Sequence, residues 1–338
     1  MEYFENPYRL AAVTIDIDAE VPNPSDDIDR PRALLARCPE ARETPLVSFE
    51  MPGSGAQLLV KDERARMGLG SFKALGAAYV IASDPNAREK TYVTASAGNH
   101  GLSVAAGARI FSAKSIIYIA ETVPESFAER LRAEGAEVRR EGAVYEDSMA
   151  AAERAAQAEG LVLLSDSSWP GYYKLPRKVM QGYLALMGEV FDQMPRPATH
   201  VFLQAGVGGL AAACGAAVRK VWGDNPKIVV VEPDAAPALA SSIREGHLTT
   251  APGPVSAMGR LDCKTPSIIA LKGLARDANW FCTLTDAEVA SQMEPLAEWG
   301  LATSPSGGAG LAAALLDEGR LGINQNSRVL CILSEGPA

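Results

Sequence analysis

The sequence predicts an α/β fold with two lobes, each a doubly wound parallel sheet in a three-layer αβα arrangement. Apolar strand-like runs alternate with Ala-rich helical runs, and several of these helical runs end at glycine. A glycine-rich turn at residues 206–209 directly follows one apolar run. Ligands of such sheets bind beyond the carboxyl ends of the strands, so a crevice between the lobes is the expected binding site.

The alternation begins after a polar N-terminal segment. Residues 1–45 are rich in Asp, Pro and Arg, and we expect an extended arm with one short helix near residues 31–36. The strands expected in the following part of the chain are 91–94, 115–119, 137–139 and 161–164. The helices expected there are 74–82, 100–110, 125–134 and 145–158.

The same pattern returns in the second half of the chain. The expected strands are 200–203, 227–231 and 329–333. The expected helices are 176–191, 210–221, 285–299 and 309–316. No repeat of solenoid period and no low-complexity tract interrupts this pattern.

The composition is that of an ordinary globular protein. The 338 residues include 41 acidic and 32 basic side chains, so the formal net charge is -9. A nucleic-acid-binding protein would need a basic surface, so this balance argues against a nucleic-acid partner. No window has the roughly 18 uninterrupted apolar residues of a membrane span, so we expect no membrane association.

Cysteine and histidine are too sparse for a structural metal site. The five cysteines include no C-x-x-C pair, and the three histidines lie far apart in sequence. We therefore expect neither a disulfide framework nor a metal centre built from cysteine or histidine, and we assign no metal ligands. The N-terminus has no basic and apolar signal pattern, which favours a cytoplasmic protein.

Two segments carry residues suited to nucleophilic and anion-binding chemistry. Lys73 follows Phe72 at the start of an apolar helix, where desolvation would lower the pKa of the amine and make it nucleophilic. The loop Ser96-Ala97-Gly98-Asn99-His100 follows a predicted strand and exposes backbone N–H groups at a helix start, as a carboxylate site requires. Taken alone, each segment is better explained by structure, the first as a solvated lysine at a helix start and the second as an ordinary turn between a strand and a helix.

Two further features lie at strand ends. The loop Gly206-Val207-Gly208-Gly209-Leu210 suits a phosphate near a helix N-terminus. Residue 211 is Ala where the dinucleotide motif needs its third glycine, so a monophosphate fits better and a nicotinamide dehydrogenase is disfavoured. Ser334 ends an apolar strand, and its hydroxyl is suited to a heterocyclic nitrogen. Each feature alone also fits a structural turn.

The combination and order of these features resemble the pyridoxal-phosphate enzymes of fold type II, the tryptophan-synthase-β-like superfamily. The resemblance extends from Thr44-Pro45-Leu46 to Ser334. Three stretches resemble the diaminopropionate ammonia-lyase branch: residues 165–172 (SDSSWPGY), 180–183 (MQGY) and 261–267 (LDCKTPS).

The resemblance implies a domain division and a set of site residues. A small domain at residues 89–170 would be inserted in a large domain formed by residues 1–88 and 171–338, with pyridoxal 5'-phosphate in the crevice between them. The implied cofactor contacts are Phe72, Lys73, Asn99, Gly206, Val207, Gly208, Gly209, Leu210 and Ser334. The implied substrate-binding residues are Ser96, Ala97, Gly98, Asn99 and His100. The implied catalytic residues are Lys73 and Asp166.

The implied activity is β-elimination from a small amino acid, in which 2,3-diaminopropionate or a related β-substituted substrate yields a 2-oxo acid and ammonia. Ala97 departs from the resembling lyases, which carry at this position an Asp associated with the D-substrate. The S-A-G-N-H loop is closer to threonine and serine dehydratases, so a hydroxyl-eliminating dehydratase is the main alternative. A β-replacement synthase and a non-catalytic cofactor-binding protein are less favoured. A homodimer is usual for proteins that resemble this one.

Overall fold

The structure, a computed structural model, describes residues 1–38 and 40–337. The strands in chain order are β1 (Glu2–Glu5), β2 (Leu46–Glu50), β3 (Gln57–Asp62), β4 (Thr91–Ala95), β5 (Lys114–Ile119), β6 (Glu137–Arg140), β7 (Val162–Leu163), β8 (His200–Gln204), β9 (Lys227–Pro233), β10 (Trp280–Leu284) and β11 (Arg328–Leu333). The α-helices are α1 (Asp29–Leu35), α2 (Lys73–Ala82), α3 (Asn99–Ile110), α4 (Glu125–Ala133), α5 (Tyr145–Glu159), α6 (Lys174–Gln193), α7 (Gly209–Trp222), α8 (Ala238–Glu245), α9 (Ile268–Asp277), α10 (Asp286–Glu298) and α11 (Pro305–Leu315).

The strands form two separate sheets, which confirms the predicted fold class. The large sheet has the order β1-β10-β9-β8-β11-β3-β2, and the small sheet has the order β6-β5-β4-β7. All the strands of the small sheet lie between residues 91 and 163, and the chain on both sides of this stretch supplies the large sheet. The exact domain boundaries, 88/89 and 170/171, stay a prediction.

The small sheet is parallel throughout, whereas the large sheet is parallel only in its five inner strands. The outer strands β1 and β2 pair antiparallel with β10 and β3. The sequence analysis assigned β1 to an extended arm and identified neither β2 nor β3. Both outer strands are only partly buried, so they lack the continuous apolar run that marks the inner strands.

Helices cover both faces of the large sheet. In β11, Leu330 and Ile332 face the core cluster that includes α2, α6 and α7, whereas Val329, Cys331 and Leu333 face the cluster that includes α11. Successive side chains of a strand point to opposite faces, so a sheet buried on both faces needs apolar residues at every position. This explains the uninterrupted apolar run at residues 329–333. In the described parts of the chain, no helix is long and apolar enough to cross a membrane.

The helix α11 begins earlier than the sequence analysis predicted, because two glycines conceal its first turn. The helix was expected to begin at residue 309, but it begins at Pro305. Gly307 and Gly308 have low helix propensity, which hides this first turn from sequence analysis. The Ser304 side chain accepts a hydrogen bond from the Gly307 backbone N–H, and Pro305 is compatible with the first helical position. A β-carbon at Gly307 would lie 2.4 Å from Thr303 Oγ1, so close packing there leaves room only for glycine.

Candidate active site

The residues singled out in the sequence analysis lie where the strands of both sheets end. Lys73 begins α2, Asn99 begins α3, Asp166 follows β7, residues 206–210 follow β8, and Ser334 follows β11. Side-chain contacts join Lys73 to Asp166 and Asn99 to Glu335, the residue after Ser334. The carboxyl ends of parallel strands are the usual ligand-binding edge of such sheets.

Lys73 and Asp166 form an ion pair that connects residues distant in sequence. The amine of Lys73 donates a hydrogen bond to Oδ2 of Asp166, and both side chains are largely buried. Burial opposes a charge on the lysine, but the carboxylate outweighs it and raises the pKa of Lys73 above its ordinary value. The expectation of a lowered pKa for Lys73 is therefore wrong. Sequence analysis considered desolvation by Phe72 alone and did not anticipate the facing carboxylate.

Burial opposes ionisation of Asp166 as well, but the charge of Lys73 lowers the pKa of this carboxyl below its ordinary value. Both members of the pair are thus charged at neutral pH. The amine stays protonated while the pair is intact, so nucleophilic attack by Lys73 requires that its proton first be transferred.

An aromatic wall closes one side of this pair. The amine of Lys73 lies 5.4 Å from the centre of the Phe72 ring, and that ring packs edge-on against Tyr183 at 4.9 Å between centroids. The hydroxyl of Tyr183 is buried and has no hydrogen-bond partner among the described residues. A buried hydroxyl without a partner is costly, and this one lies close enough to Lys73 for the charge of the amine to influence it.

Asn99 contacts a carboxylate that sequence analysis missed. The side-chain amide of Asn99 donates a hydrogen bond to Oε2 of Glu335. Glu335 directly follows Ser334, so its place in the chain was the only available signal. Ser304 and Arg260 also donate hydrogen bonds to this carboxylate. Burial raises the pKa of Glu335, and Arg260 partly offsets that rise.

Ser334 is buried and oriented by a second residue that sequence analysis missed. Nε2 of Gln204 donates a hydrogen bond to Oγ of Ser334 at 3.0 Å. The carbonyl oxygens of Gly307 and Ile332 also lie 2.9 Å each from this nitrogen, so its two N–H groups are shared among three acceptors. The hydroxyl oxygen of Ser334 is one of these three acceptors, and its own O–H can donate to a further acceptor.

The glycine-rich loop turns tightly into α7. Gly208 caps this helix with φ of 94°, a left-handed conformation that favours glycine. The first N–H groups of a helix have no partner within it, which suits an anion. The side chain of Leu210 packs in the core, and the carbonyl of Val207 accepts a hydrogen bond from Ser267 N–H at 3.0 Å. The backbone N–H of Leu210 therefore remains for an anion, whereas the N–H of Val207 faces the thiol of Cys263.

The loop also packs against residues 260–263. A β-carbon at Gly206 would lie 3.0 Å from Cys263 Sγ and 3.1 Å from both Arg260 O and Leu261 Cα. A β-carbon at Gly209 would meet its nearest atom, in Met180, at 3.7 Å. Gly206 is therefore required for the close approach of the two segments, whereas the position of Gly209 has room for a methyl group.

The loop at residues 96–100 makes structural hydrogen bonds of its own besides forming the expected carboxylate site. Its Gly98 N–H donates to Ser96 Oγ at 3.2 Å. The His100 ring is buried, and its Nε2 contacts the carbonyl oxygen of Leu164 at 2.8 Å. Burial lowers the pKa of His100, so the ring is neutral at physiological pH. The side chain of His100 therefore connects α3 to the end of β7, which leaves only its backbone N–H to face a carboxylate.

Ala97 lies at an open edge of the site. It lines a cavity of about 250 Å³ together with Val123, Pro124, Ser126, Phe127 and Arg130. The guanidinium of Arg130 lies 5.7 Å from the centre of the Phe127 ring. A longer side chain at residue 97 therefore has space.

The three lyase-like stretches lie close together around the glycine-rich loop. Oγ of Ser168 contacts Oγ of Ser267 at 2.6 Å, which joins the first stretch to the third. Met180, in the second stretch, lies near Gly209, and Cys263, in the third, lies near Gly206. The first and third stretches, whose contacting serines are 99 positions apart in the chain, thus form one wall of the site together with the second.

A family model described as pyridoxal-phosphate dependent enzyme matches residues 38–335. The chain belongs to this family. It is 32% identical over 324 residues to the diaminopropionate ammonia-lyase of Salmonella typhimurium, covering 82% of this chain and 80% of the relative. It is 28% identical over 268 residues to the L-threonine ammonia-lyase of Geobacter sulfurreducens, covering 79% and 64% of the two chains.

A solved structure extends the similarity to almost the whole fold. The diaminopropionate ammonia-lyase of Escherichia coli, in complex with an aminoacrylate–PLP azomethine reaction intermediate, superposes with a TM-score of 0.87 at 27% identity. The alignment covers 99% of this chain and 93% of that chain.

The residues present fit pyridoxal phosphate. The glycine-rich loop and the start of α7 suit a phosphate, and Lys73 supplies an amine beside the aromatic wall. The hydroxyl of Ser334 has its acceptor role filled by Gln204, so it can donate to a ring nitrogen. The unpartnered hydroxyl of Tyr183 leaves a polar group for the same space.

Proposed function

We propose that this pyridoxal-phosphate enzyme catalyses β-elimination from a small amino acid, and that 2,3-diaminopropionate is its preferred class of substrate. The observation that carries the proposal is the Lys73–Asp166 pair beside the glycine-rich loop. An amine and a carboxylate in contact can take up a proton at one atom and deliver it at another. The similarity to diaminopropionate ammonia-lyases and the wall formed by the three lyase-like stretches support the choice of substrate.

Each predicted residue has a role in this proposal. Lys73 would hold the cofactor covalently, Ser334 would face its ring nitrogen and Asn99 its ring oxygen. Residues 206–210 would surround its phosphate. When bound, pyridoxal phosphate acts as an electron sink for negative charge at the α-carbon. Residues 96–100 hold the substrate carboxylate through backbone N–H groups at the start of α3.

Lys73 and Asp166 manage the protons of the reaction. With cofactor and substrate bound, the amine of Lys73 would take the proton from the α-carbon. Asp166 holds the resulting ammonium in place, and the pair returns one proton to the departing amino group at the β-carbon. One proton taken and one delivered leave the pair in its starting state. The close hydrogen bond between the two side chains supports this relay.

Ser334 favours elimination over slower side reactions. A hydroxyl is a weaker acid than a carboxylic acid, so it leaves the ring nitrogen largely unprotonated and limits the electron sink. Negative charge at the α-carbon then persists for less time, which favours prompt loss of the β-substituent.

A substrate panel with purified protein tests the proposal. It includes both enantiomers of 2,3-diaminopropionate, serine, threonine and 3-hydroxyaspartate, with 2-oxo acid and ammonia measured separately. Diaminopropionate releases two ammonia molecules per 2-oxo acid and serine releases one, so the ratio identifies the leaving group. Lys73→Ala should abolish turnover of every substrate. Retained turnover in that variant contradicts the role of Lys73.

The second candidate is a dehydratase that eliminates hydroxyl from serine, threonine or a 3-hydroxy amino acid. Ala97 in the S-A-G-N-H loop favours it, as does the similarity to an L-threonine ammonia-lyase. Higher kcat/KM for a hydroxy amino acid than for diaminopropionate would establish this alternative. A β-replacement synthase would instead consume an added nucleophile, and a non-catalytic protein would bind the cofactor without turnover.

The identity of residue 97 affects which enantiomer of the substrate we expect the enzyme to prefer. We expect a preference for the L-enantiomer, because Ala97 provides no carboxylate at this edge of the site. The cavity beside Ala97 has space for an acidic side chain. Ala97→Asp should therefore raise kcat/KM for D-diaminopropionate relative to the L-enantiomer by about tenfold or more, a modest part of what a positioned base contributes. An unchanged ratio would show that residue 97 does not select the enantiomer.

We also propose a cytoplasmic homodimer. Cys214, Cys282 and Cys331 are buried and free, which suits a reducing compartment. Homodimers are usual among the enzymes this chain resembles. Gel filtration with light scattering measures the oligomeric state directly.

A further inference from the structure

Glu335 is a buried carboxylate at which several segments of the site meet. Its Oε1 accepts hydrogen bonds from Ser304 Oγ and from Arg260 Nη1, the latter at 3.0 Å. Its Oε2 accepts from Asn99 Nδ2. The side chain is only 7% exposed. A carboxylate removed from water to this degree is stable only when charged and polar partners surround it, as they do here.

These partners belong to segments that border the site. Asn99 begins α3, which follows a strand of the small sheet, and Ser304 caps α11 beside the large sheet. Arg260 lies in the segment that packs against Gly206. The single carboxylate of Glu335 thus links the two sheets and the segment behind the glycine-rich loop.

The backbone around Glu335 is also held against the start of α2. Phe72 N–H donates to the carbonyl of Ser334 at 3.1 Å, and Gly336 N–H donates to the carbonyl of Gly70 at 3.1 Å. The carboxylate therefore projects from a backbone that is itself fixed next to Lys73. A fixed acceptor can orient the group that donates to it.

The contact with Asn99 determines how its amide is turned. A side-chain amide has two N–H donors on one atom and an acceptor on the other. Because Glu335 accepts from Nδ2, the nitrogen and not the oxygen of Asn99 is held on this side of the crevice. The second N–H of the same nitrogen then remains available as a donor.

We propose that Glu335 is a positioning residue that orients the Asn99 amide toward the ring oxygen of pyridoxal phosphate. The inference rests on the role proposed above for Asn99, and it assigns Glu335 no contact with the substrate. Glu335 acts through Asn99, so its removal weakens cofactor binding only where Asn99 is present.

Titration of the cofactor-free protein with pyridoxal phosphate tests this without substrate. The dissociation constant is followed by the visible absorption of the bound cofactor and by tryptophan fluorescence. Glu335→Gln keeps the shape but loses the charge, and should weaken binding by about tenfold, the loss of one hydrogen bond to a charged group. Asn99→Ala should weaken binding by a similar factor. Glu335→Gln added to Asn99→Ala should cause no further loss, because the two changes remove one interaction.

A purely structural role for Glu335 gives a different pattern. If Glu335→Gln weakens binding by the same factor with and without Asn99, the carboxylate does not act through that amide and the proposal is wrong. Unchanged binding in Glu335→Gln overturns it equally. Glu318→Gln changes an exposed carboxylate and serves as the matched control. Failure of the wild-type protein to bind pyridoxal phosphate would instead overturn the assignment of the site, whereas an unexpected substrate would affect only the proposed reaction.

Discussion

Replacing Gly206 with alanine tests how closely the glycine-rich loop packs against residues 260–263. The added β-carbon would lie 3.0 Å from Cys263 Sγ and 3.1 Å from Arg260 O and Leu261 Cα. Ordinary contacts of a β-carbon begin near 3.4 Å. Two of the three neighbours are backbone atoms, so they cannot turn away as the end of a flexible side chain would.

The expected cost follows from this geometry. Each neighbour must move by a few tenths of an ångström, and overpacking of this kind costs about 1–3 kcal/mol. Gly206→Ala should therefore lower the free energy of unfolding of the cofactor-free protein by about this amount. Because the shift also displaces backbone N–H groups of the loop, it should weaken pyridoxal-phosphate binding as well.

Gly209→Ala is the matched control, since its β-carbon would meet no atom closer than 3.7 Å. Chemical denaturation of the cofactor-free variants measures stability, and titration with pyridoxal phosphate measures affinity. Gly209→Ala should stay within about 0.5 kcal/mol of wild-type stability. Cys263→Ala added to Gly206→Ala should recover part of the loss, because it removes one of the three close contacts. Equal stability of the Gly206→Ala and Gly209→Ala variants would refute the reasoning.

Two further substitutions test the charges of the interior. Asp166→Asn removes the carboxylate that raises the pKa of Lys73. An amine-acylating reagent should therefore modify Lys73 of the cofactor-free variant at lower pH than in the wild-type protein. An unchanged pH profile of modification would contradict the ion pair. Glu63→Ala leaves the fully buried guanidinium of Arg66 with fewer partners and should lower the free energy of unfolding by about 3 kcal/mol. The same change at Glu141, an exposed partner of a surface ion pair, should have no measurable effect in the same denaturation assay.

Local signals were sufficient for the small sheet, for β8, β9 and β11 of the large sheet, and for most helices. The small sheet forms from the four strands expected between residues 91 and 164. Its strands β4 and β5 are largely buried, and their apolar runs between helices are the pattern that marks such strands. The helices α8 and α9 and the strand β10 were not identified. They lie in the part of the chain between 232 and 285, where short helices and a single strand give no regular alternation. Their identity depends on packing against β9 and α7.

In the candidate active site too, the loops could be recognised from local sequence, whereas the contacts between side chains could not. Each loop could be recognised because the backbone chemistry of an anion site requires glycine and small residues next to a strand end, as at residues 206–209. No local pattern indicates which side chain lies opposite which. Gln204, Glu335 and Tyr183 therefore went unassigned, although each lies within or next to a recognised stretch.

The sequence by itself determined the α/β class, the order of the loops along the chain and the kind of ligand they suit, because strand periodicity and glycine placement are local properties. Only the tertiary structure decided the charge state of Lys73. Burial beside Phe72 would lower the pKa of Lys73, but the carboxylate of Asp166 outweighs this effect. Asp166 lies 93 residues further along the chain, and only the folded structure places it in contact with the amine. Electrostatic interactions depend on distance in space, and the fold alone sets that distance.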